Sequence, residues 1–339
     1  MRHLTISRRL GCLTALCVVG LATPAQATKY AGEFLAVGVG ARAMGMGGAF
    51  VAIADDASAI YWNPAGLADL TARSVLPEHC ENFGGAVSYD DVAYVHPQRD
   101  GDRPSAFGLL GLRLAVQDIP YVPMGTFDWV DENENQQYDN GERILYDESR
   151  VHWKTYAEMA LFLSYARQIS PGVSVGGSLK PIRKSFADES CFGFGADVGL
   201  LLRSQRGVSL GVSLQDFFGT ILSWSTGTRE TITPNLHVGA AYERHFESLE
   251  TRLLLAGQAD IRFEGRQYAT QLRAGQASAD FRAGMECTWR DLVALRLGTA
   301  DENFTAGAGL GIKGYWVDYA FLGHEYLDNS HRVSVRAHF

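Results

Sequence analysis

Residues 252–263 read Arg-Leu-Leu-Leu-Ala-Gly-Gln-Ala-Asp-Ile-Arg-Phe, and their pattern decides the fold class. Apolar side chains recur at alternate positions of this stretch, at Leu253, Leu255, Ala259, Ile261 and Phe263. Polar side chains stand between them, at Arg252, Gln258, Asp260 and Arg262. Because successive side chains of a β-strand point to opposite faces, the stretch predicts a strand with one apolar and one polar face.

The same alternation continues from about residue 74 to the end of the chain. It predicts 14 strands, at 74–80, 84–96, 105–117, 151–168, 172–184, 191–203, 207–215, 233–244, 251–263, 279–289, 292–300, 303–313, 315–323 and 331–339. A soluble sandwich and a membrane barrel both fit alternation. Most of these strands are longer than the roughly 5 or 6 residues of a soluble strand and suit a tilted membrane crossing. We therefore predict an all-β fold, a transmembrane antiparallel β-barrel with its apolar face in lipid.

The links between the predicted strands alternate between short and long. An even strand count places both chain ends on the periplasmic side and the two longest links, 118–150 and 216–232, outside. Short periplasmic turns and long external loops are typical of outer-membrane barrels. The first predicted strand is the least regular of the 14, because Pro77 and Glu78 interrupt its pattern.

Both ends of the chain indicate export. Residues 1–27 combine a positive start, an apolar run over 10–21 and the small-residue site Ala25-Gln26-Ala27, which together predict a secretory signal peptide. The apolar run is too short to span a membrane. Phe339 is the last residue of the last predicted strand and lies on its apolar face. This position resembles the terminal aromatic signal that the barrel-insertion machinery recognises. We expect a bacterial outer-membrane location, with membrane lipid and the insertion machinery as partners.

Composition and charge exclude other classes. The chain has 37 glycines in 339 residues, well above the usual ~7%, as many closely packed strands require. A net charge of −8 argues against nucleic acid as a partner. Cys80, Cys191 and Cys287 are far apart and odd in number, so they predict no disulfide framework.

Residues 28–72 differ from the barrel region, 73–339, and predict an N-terminal plug, or hatch. The segment is rich in glycine and shows no strand pattern. Arg42, Asp55 and Asp56 would be costly against lipid but favourable inside a polar lumen. Gly38-Val39-Gly40 is a weak nucleotide-binding signal, because no strand, helix and parallel sheet surround it. We therefore place the segment in the periplasmic mouth of the barrel.

Residues 131–142 have the spacing of a twelve-residue calcium loop. Oxygen-bearing side chains occupy positions 1, 3, 5, 9 and 12, and position 7 would offer a backbone carbonyl; these residues are Asp131, Asn133, Asn135, Asp139, Glu142 and Gln137. Calcium takes oxygen ligands at this spacing. Gln136 stands where such loops carry glycine. We predict a weak structural Ca²⁺ site in the external loop 118–150; a solvated acidic loop is the alternative.

The sequence predicts neither an enzyme nor an organic cofactor. Its histidines are scattered, and no Ser/His or Asp/His set converges on one strand rim as an outer-membrane hydrolase would require.

Residues 34–67 contain Ala-Arg-Ala-Met-Gly-Met-Gly-Gly-Ala-Phe at 41–50 and Tyr-Trp-Asn-Pro-Ala-Gly-Leu at 61–67. This run resembles the PorV/PorQ family of outer-membrane proteins, which is grouped with the FadL-type transporters of hydrophobic compounds. The resemblance implies a 14-stranded barrel whose hatch carries the Asn-Pro-Ala motif, here Asn63, Pro64 and Ala65. In FadL-like proteins, external loops capture a hydrophobic ligand, which passes inward when the hatch rearranges. PorV-like members instead receive cargo proteins of type IX secretion at the cell surface.

Two functions follow from the plug, the barrel and the resemblance. The leading prediction is binding or transport of a hydrophobic small molecule through a hatch-gated lumen, with Arg42, Asp55, Asp56 and the Asn-Pro-Ala motif at the hatch. The alternative is a secretion component that binds cargo proteins through the external loops, and a purely structural role is a third.

Overall fold

The structure is a computed structural model that describes residues 32–82, 85–98, 103–122, 128–132, 135–136, 139, 142–145, 151–265, 270–300, 302–323 and 329–339. The predicted signal peptide, 1–27, lies outside the described residues. So do Asn133 and Gln137 of the predicted calcium loop. No helix among the described residues is long and apolar enough to cross a membrane.

Fourteen antiparallel strands form a closed barrel, which confirms the predicted fold class. The strands are β1 Ser74–Asn82, β2 Val87–Gln98, β3 Ser105–Tyr121, β4 His152–Ser170, β5 Val173–Phe186, β6 Glu189–Arg203, β7 Val208–Gln215, β8 Asn235–Phe246, β9 Thr251–Arg262, β10 Ala277–Trp289, β11 Val293–Ala300, β12 Asn303–Ile312, β13 Tyr315–Leu322 and β14 Ser330–His338. Each pairs with its neighbours along the chain, and β1 closes the barrel against β14.

Pro77 and Glu78 do not interrupt β1. Pro77 lies on the outer face opposite Val92, where its ring lies outside the barrel. Glu78 points inward, is 5% exposed, and its Oε1 lies 2.9 Å from Nη1 of Arg332 on β14. An inward carboxylate paired with an inward arginine keeps the alternation of the strand intact, although Glu78 reads as a break in the sequence.

The predicted loop 216–232 is largely a β-hairpin. Thr220–Trp224 pairs with Arg229–Ile232 and also with β6, so β7 and β8 continue beyond a break. The break is a bulge in which Asp216 has φ +52° and Gly219 φ +79°. In the loop 118–150, Asp128–Trp129 pairs with Ile144–Leu145. The sequence pattern did not predict the hairpin of Thr220–Trp224 and Arg229–Ile232, because its strands are only 5 and 4 residues long.

The two ends of the barrel differ. At the terminal end, where the barrel begins and ends, the Phe339 amide donates to the Arg73 carbonyl at 2.9 Å. We call the opposite rim the distal end. Strands β3 and β4 have 17 and 19 residues, whereas β11 and β13 have 8 each. Because the β4–β5, β10–β11 and β12–β13 turns at the terminal end are short, the added length raises the wall around β3 and β4 at the distal end.

The barrel wall is apolar outside and polar inside. On the outer face, Leu295, Leu310 and Ile312 are 63%, 61% and 67% exposed. Their inward neighbours include Arg296 at 2% and Asp318 at 0%. A soluble domain buries apolar side chains and exposes charges, so this inverted pattern is that of a wall surrounded by lipid and filled with polar groups.

The described part of the plug, residues 32–72, lies inside the barrel. It folds as short turns and helices: Glu33–Ala36, α1 Ala41–Gly45, α2 Ala59–Trp62 and Pro64–Asp69. Helices this short are not stable alone, so packing against the wall maintains them. All residues from Gly38 to Ala68 except Asp55 are buried.

Candidate functional site

A belt of inward-facing glycines receives the plug. The glycine belt consists of Gly108, Gly176, Gly199, Gly211, Gly239, Gly284, Gly298 and Gly307, from eight different strands. A Cβ atom would come within 3.0 Å of plug atoms at every one of these positions except Gly307, where the plug's Gly45 lies at 3.2 Å. Only glycine leaves room for so close a backbone approach.

Cross-strand pairing strengthens the belt. Gly176 pairs with Gly199, Gly211 with Gly239, and Gly284 with Gly298. Each pair forms a groove in the wall that is two strands wide. The plug backbone fills these grooves at Pro64, Val51 and Met46. The plug backbone therefore packs directly against the wall at this level.

Asn63 of the Asn-Pro-Ala motif joins the plug to the wall. Its Nδ2 donates to the carbonyls of Val51 at 2.9 Å and Leu200 at 3.1 Å. Its Oδ1 accepts from the Ala65 amide at 3.2 Å and so caps the Pro64–Asp69 turn, in which Pro64 takes the first position. Asn63 is fully buried. The motif therefore positions the plug, and all the hydrogen bonds of the Asn63 side chain are with backbone groups.

Arg42 is the centre of a buried ion network. Its Nε and Nη2 donate to the two oxygens of Glu286 on β10 at 2.8 and 2.9 Å. Its Nη1 donates to Asp55 at 2.5 Å and to Asp56 at 3.3 Å. Burial alone would raise the pKa of Asp55, but the charge and hydrogen bond of Arg42, together with the charge of Arg203, hold the pKa below its ordinary value. Asp55 and Asp56 are thus structural partners of Arg42.

The network continues through the wall. Arg296 on β11 lies 2.6 Å from Glu286 and 2.8 Å from Asp318 on β13. Arg336 on β14 lies 2.6 Å from Asp318 and 3.8 Å from Asp56. Each charge is met by an opposite one, as buried ions require. The network therefore ties the plug to inward-facing charged side chains on four strands, β10, β11, β13 and β14.

Two further contacts hold the rest of the plug. Gln258 Oε1 accepts from the amides of Phe50 and Val51 at 3.0 and 2.9 Å. Arg203 Nε lies 2.6 Å from Asp69. We call residues 41–69 the plug body; it combines belt contacts, the ion network and these bonds.

Residues 33–40, the plug neck, are held differently. Arg332 donates from Nη1 to the Gly38 carbonyl at 2.9 Å and from Nη2 to the Val37 carbonyl at 2.6 Å. Phe34 lies under Lys184, whose Nζ is 5.0 Å from the ring centroid. Gly38 and Gly40 both have φ +86°, a conformation that other residues rarely adopt. The neck thus contains two glycines near its end and lies between the plug body and the distal space.

A cavity of about 230 Å³ lies on the distal side of the plug. Its floor is formed by Ala36, Val37 and Met44. Its wall comes from eight strands and one adjoining residue, at Asn82, Val87, Leu114, Arg282, Ala300, Asn303, Thr305, Leu322, Gly323, Ser330 and Arg332. Apolar side chains dominate the floor, with a few polar groups above. This combination is typical of a small-molecule site.

The structure brings four of the six predicted calcium ligands into one turn. The Asp131 carboxylate accepts from the Asn135 and Gln136 amides at 3.1 and 2.6 Å. Glu142 accepts from the Asp139 amide at 2.9 Å. Gln136 has φ +63°, so it adopts the left-handed conformation for which glycine is usual. Within the described residues no three His, Cys, Asp or Glu side chains converge on a metal position, and calcium binding stays a prediction.

No family model matches the chain, and no curated protein matches it. Solved barrels do. The Ralstonia pickettii toluene transporter TbuX is 13% identical with a TM-score of 0.56, over 89% of this chain and 98% of that chain. The P. putida toluene transporter TodX is 12% identical with a TM-score of 0.57, over 89% and 99%. A Pseudomonas aeruginosa FadL homologue is 11% identical with a TM-score of 0.50, over 87% and 96%. The chain shares their fold; at these identities the likeness concerns fold alone.

Proposed function

We propose that this barrel lies in a bacterial outer membrane and takes up a small hydrophobic molecule through its distal cavity. The distal cavity with its apolar floor of Ala36, Val37 and Met44 is the observation that carries the proposal. In this arrangement the distal end faces the exterior, and a ligand arriving from outside meets the plug neck first. The shared fold with toluene transporters supports the same assignment.

The volume of the cavity limits the size of the ligand. An apolar cavity of about 150 Å³ accommodates benzene in a protein core. The distal cavity has about 230 Å³, which suits one aromatic ring with small substituents. A long acyl chain would extend beyond it. The substrate class is therefore a compact, uncharged hydrocarbon.

Passage inward requires the plug to rearrange, because the plug body fills the lumen beneath the cavity. A ligand in the cavity touches the neck through Ala36 and Val37 and the plug body through Met44. Arg332 connects this floor to Glu78 in the wall. A ligand that displaces Val37 would break the bonds from Arg332 to the neck. In this proposal, hatch gating begins when the neck loses its hydrogen bonds to Arg332.

Filling the cavity tests the proposal. Ala36→Phe places a ring in the cavity, and we expect uptake of radiolabelled toluene to fall to the level of cells without the barrel. Ala308→Phe adds the same ring on the exposed lipid face of β12 and serves as the control, with uptake unchanged. If Ala36→Phe is inserted normally and still takes up toluene like the wild type, the cavity is not the route.

A second candidate function is binding of secreted cargo proteins, favoured by the raised wall. Ile144, Leu145 and Trp153 lie near the distal rim, and their exposed fractions are 43%, 46% and 65%. Most of the other outward apolar residues lie closer to the terminal end. Exposed apolar groups beyond the lipid fit protein contact. Affinity purification from outer membranes separates the candidates: co-purified cargo that is lost with Trp153→Ser would favour secretion, and unchanged toluene uptake in that variant would favour transport.

We also propose that the loop 131–142 binds Ca²⁺ and stiffens the segment above the cavity. Calorimetric titration of the whole barrel should give a weak site, with a Kd of about 10⁻⁴–10⁻³ M, the range of extracellular calcium modules. Asp131→Ala should abolish the heat, and Asp188→Ala, which changes an exposed aspartate in another turn, should leave it unchanged. Absence of heat in the wild-type protein would exclude the site.

A further inference from the structure

The outer wall of the barrel carries an apolar groove with arginines at one edge. The groove has about 630 Å³ and crosses strands β2 to β6. Its sides are formed by Val92, Met159, Leu161 and Phe192, which are 55%, 43%, 40% and 63% exposed. Gly111 forms part of the floor, and a Cβ built there would meet nothing within 4 Å. The groove is therefore open space on the lipid-facing surface.

A second groove continues the first toward the terminal end. It has about 640 Å³, and its lining includes Leu109, Leu163 and Leu179. These residues lie two positions along the same strands from Gly111, Leu161 and Pro181 of the first groove. The two form one furrow that runs along the strands. A flexible hydrocarbon chain can lie in a furrow of this shape without displacing any side chain.

Charges are confined to the distal edge of the furrow. The register aligns His79, Asp90, Arg113, Met159, Arg183 and Phe192 in one outward row across six strands. Arg113 lies 3.5 Å from Asp90, and Asp90 lies 2.7 Å from His79. Arg183 is exposed and forms no ion pair with any residue that the structure describes. Glu81 and Asp90 lie at the β1 and β2 side of this edge, within 3.7 and 2.7 Å of His79, whereas no carboxylate among the described residues pairs with Arg183. The positive charge at this edge is therefore at Arg183, with Arg113 beside it.

We propose that the furrow binds a phosphorylated lipid of the outer leaflet, with its phosphate between Arg113 and Arg183 and one acyl chain over Gly111. Arginine suits phosphate because its planar donors bind the oxygens in pairs. The apolar furrow supplies the contact for the chain, so the occupant is a lipid and not free phosphate. Continuity with the lipid-facing wall brings such a molecule to the groove. The inference rests on the membrane location and the outward-facing distal end of the proposed function, and it is independent of what the lumen transports.

Native mass spectrometry of the whole barrel in an uncharged detergent tests the assignment. Phosphatidylglycerol should remain bound, while diacylglycerol of the same chains, which lacks the phosphate, should bind about tenfold more weakly or less, as loss of charge-assisted bonds predicts. Inorganic phosphate should not bind. Equal retention of phosphatidylglycerol and diacylglycerol would overturn the role of the arginines.

Three variants locate the site. The double variant Arg113→Ala/Arg183→Ala should lose phosphatidylglycerol. Gly111→Leu should also lose it, because its side chain fills the floor at a position where an added Cβ meets no protein atom within 4 Å. Arg167→Ala, which removes an exposed outward arginine near the terminal end of β4, should bind like the wild type. Retention by the double variant or by Gly111→Leu would refute the proposal. A dimer that disappears in these variants, without any bound lipid, would assign the groove to a second copy of the chain instead.

Discussion

The plug body and the plug neck occupy the same lumen but are held by different means. The body, residues 41–69, fits the glycine belt and carries the Arg42 network, whereas the neck, residues 33–40, is tied to the wall through the Arg332 bonds and the contact of Phe34. The neck also exposes Ala36 to the cavity. The body is therefore held by more contacts with the wall than the neck is. In the proposed function, the neck is the part that a ligand meets first.

Breaking the ion network should damage the body most. Glu286→Gln removes the charge that faces both Arg42 and Arg296, and leaving buried guanidinium groups uncompensated costs about 3–5 kcal/mol. We expect the free energy of unfolding in guanidinium chloride, measured in detergent micelles, to fall by that amount. Glu243→Gln is the matched control, because its side chain is 34% exposed and pairs at the surface, where an ion pair contributes about 0–1 kcal/mol.

Equal losses in the two glutamate variants would mean that the network does not anchor the body. The glycine belt alone would then distinguish how the body is held from how the neck is held, and the charges would serve only to neutralise one another.

A smaller effect is expected from the belt itself. Gly284→Ala places a Cβ against the Met46 backbone, and overpacking of this kind costs about 1–3 kcal/mol. Gly257→Ala on the neighbouring strand meets nothing within 4 Å and should be neutral or slightly stabilising, since alanine has less conformational freedom to lose than glycine. The same unfolding experiment measures both. A neutral Gly284→Ala would show that the plug yields at the belt.

These two tests also show how far the sequence could lead. Alternation predicted all 14 strands because side-chain parity is a local property of each strand. The cost of placing a charge in lipid predicted that Arg42, Asp55 and Asp56 belong in a polar lumen, and this cost does not depend on where in the chain the charge lies. The Asn-Pro-Ala motif was singled out only through its resemblance, and its role as a tether to Leu200 became visible only in three dimensions.

What the sequence could not predict is long-range. Glu286 lies 244 positions from Arg42, and one sequence contains no signal that joins them. The glycine belt was missed for a different reason: a glycine has no side chain by which alternation could mark it as inward or outward. Gly257 and Gly284 read alike, although one faces open space and the other touches the plug.

The finest test compares the body and the neck directly by hydrogen exchange. Local opening is easiest where few buried contacts must break, so amides of residues 33–40 should exchange faster than those of 41–69 in the intact barrel, with the barrel strands as the protected reference. Saturating toluene should change the exchange of the neck and of Met44, which together form the cavity floor, and leave residues 46–69 unchanged if a ligand acts on that floor. Uniform protection across 33–69 would show that the plug opens only as one unit, and gating would then require the body, with its belt and ion network, to move as well.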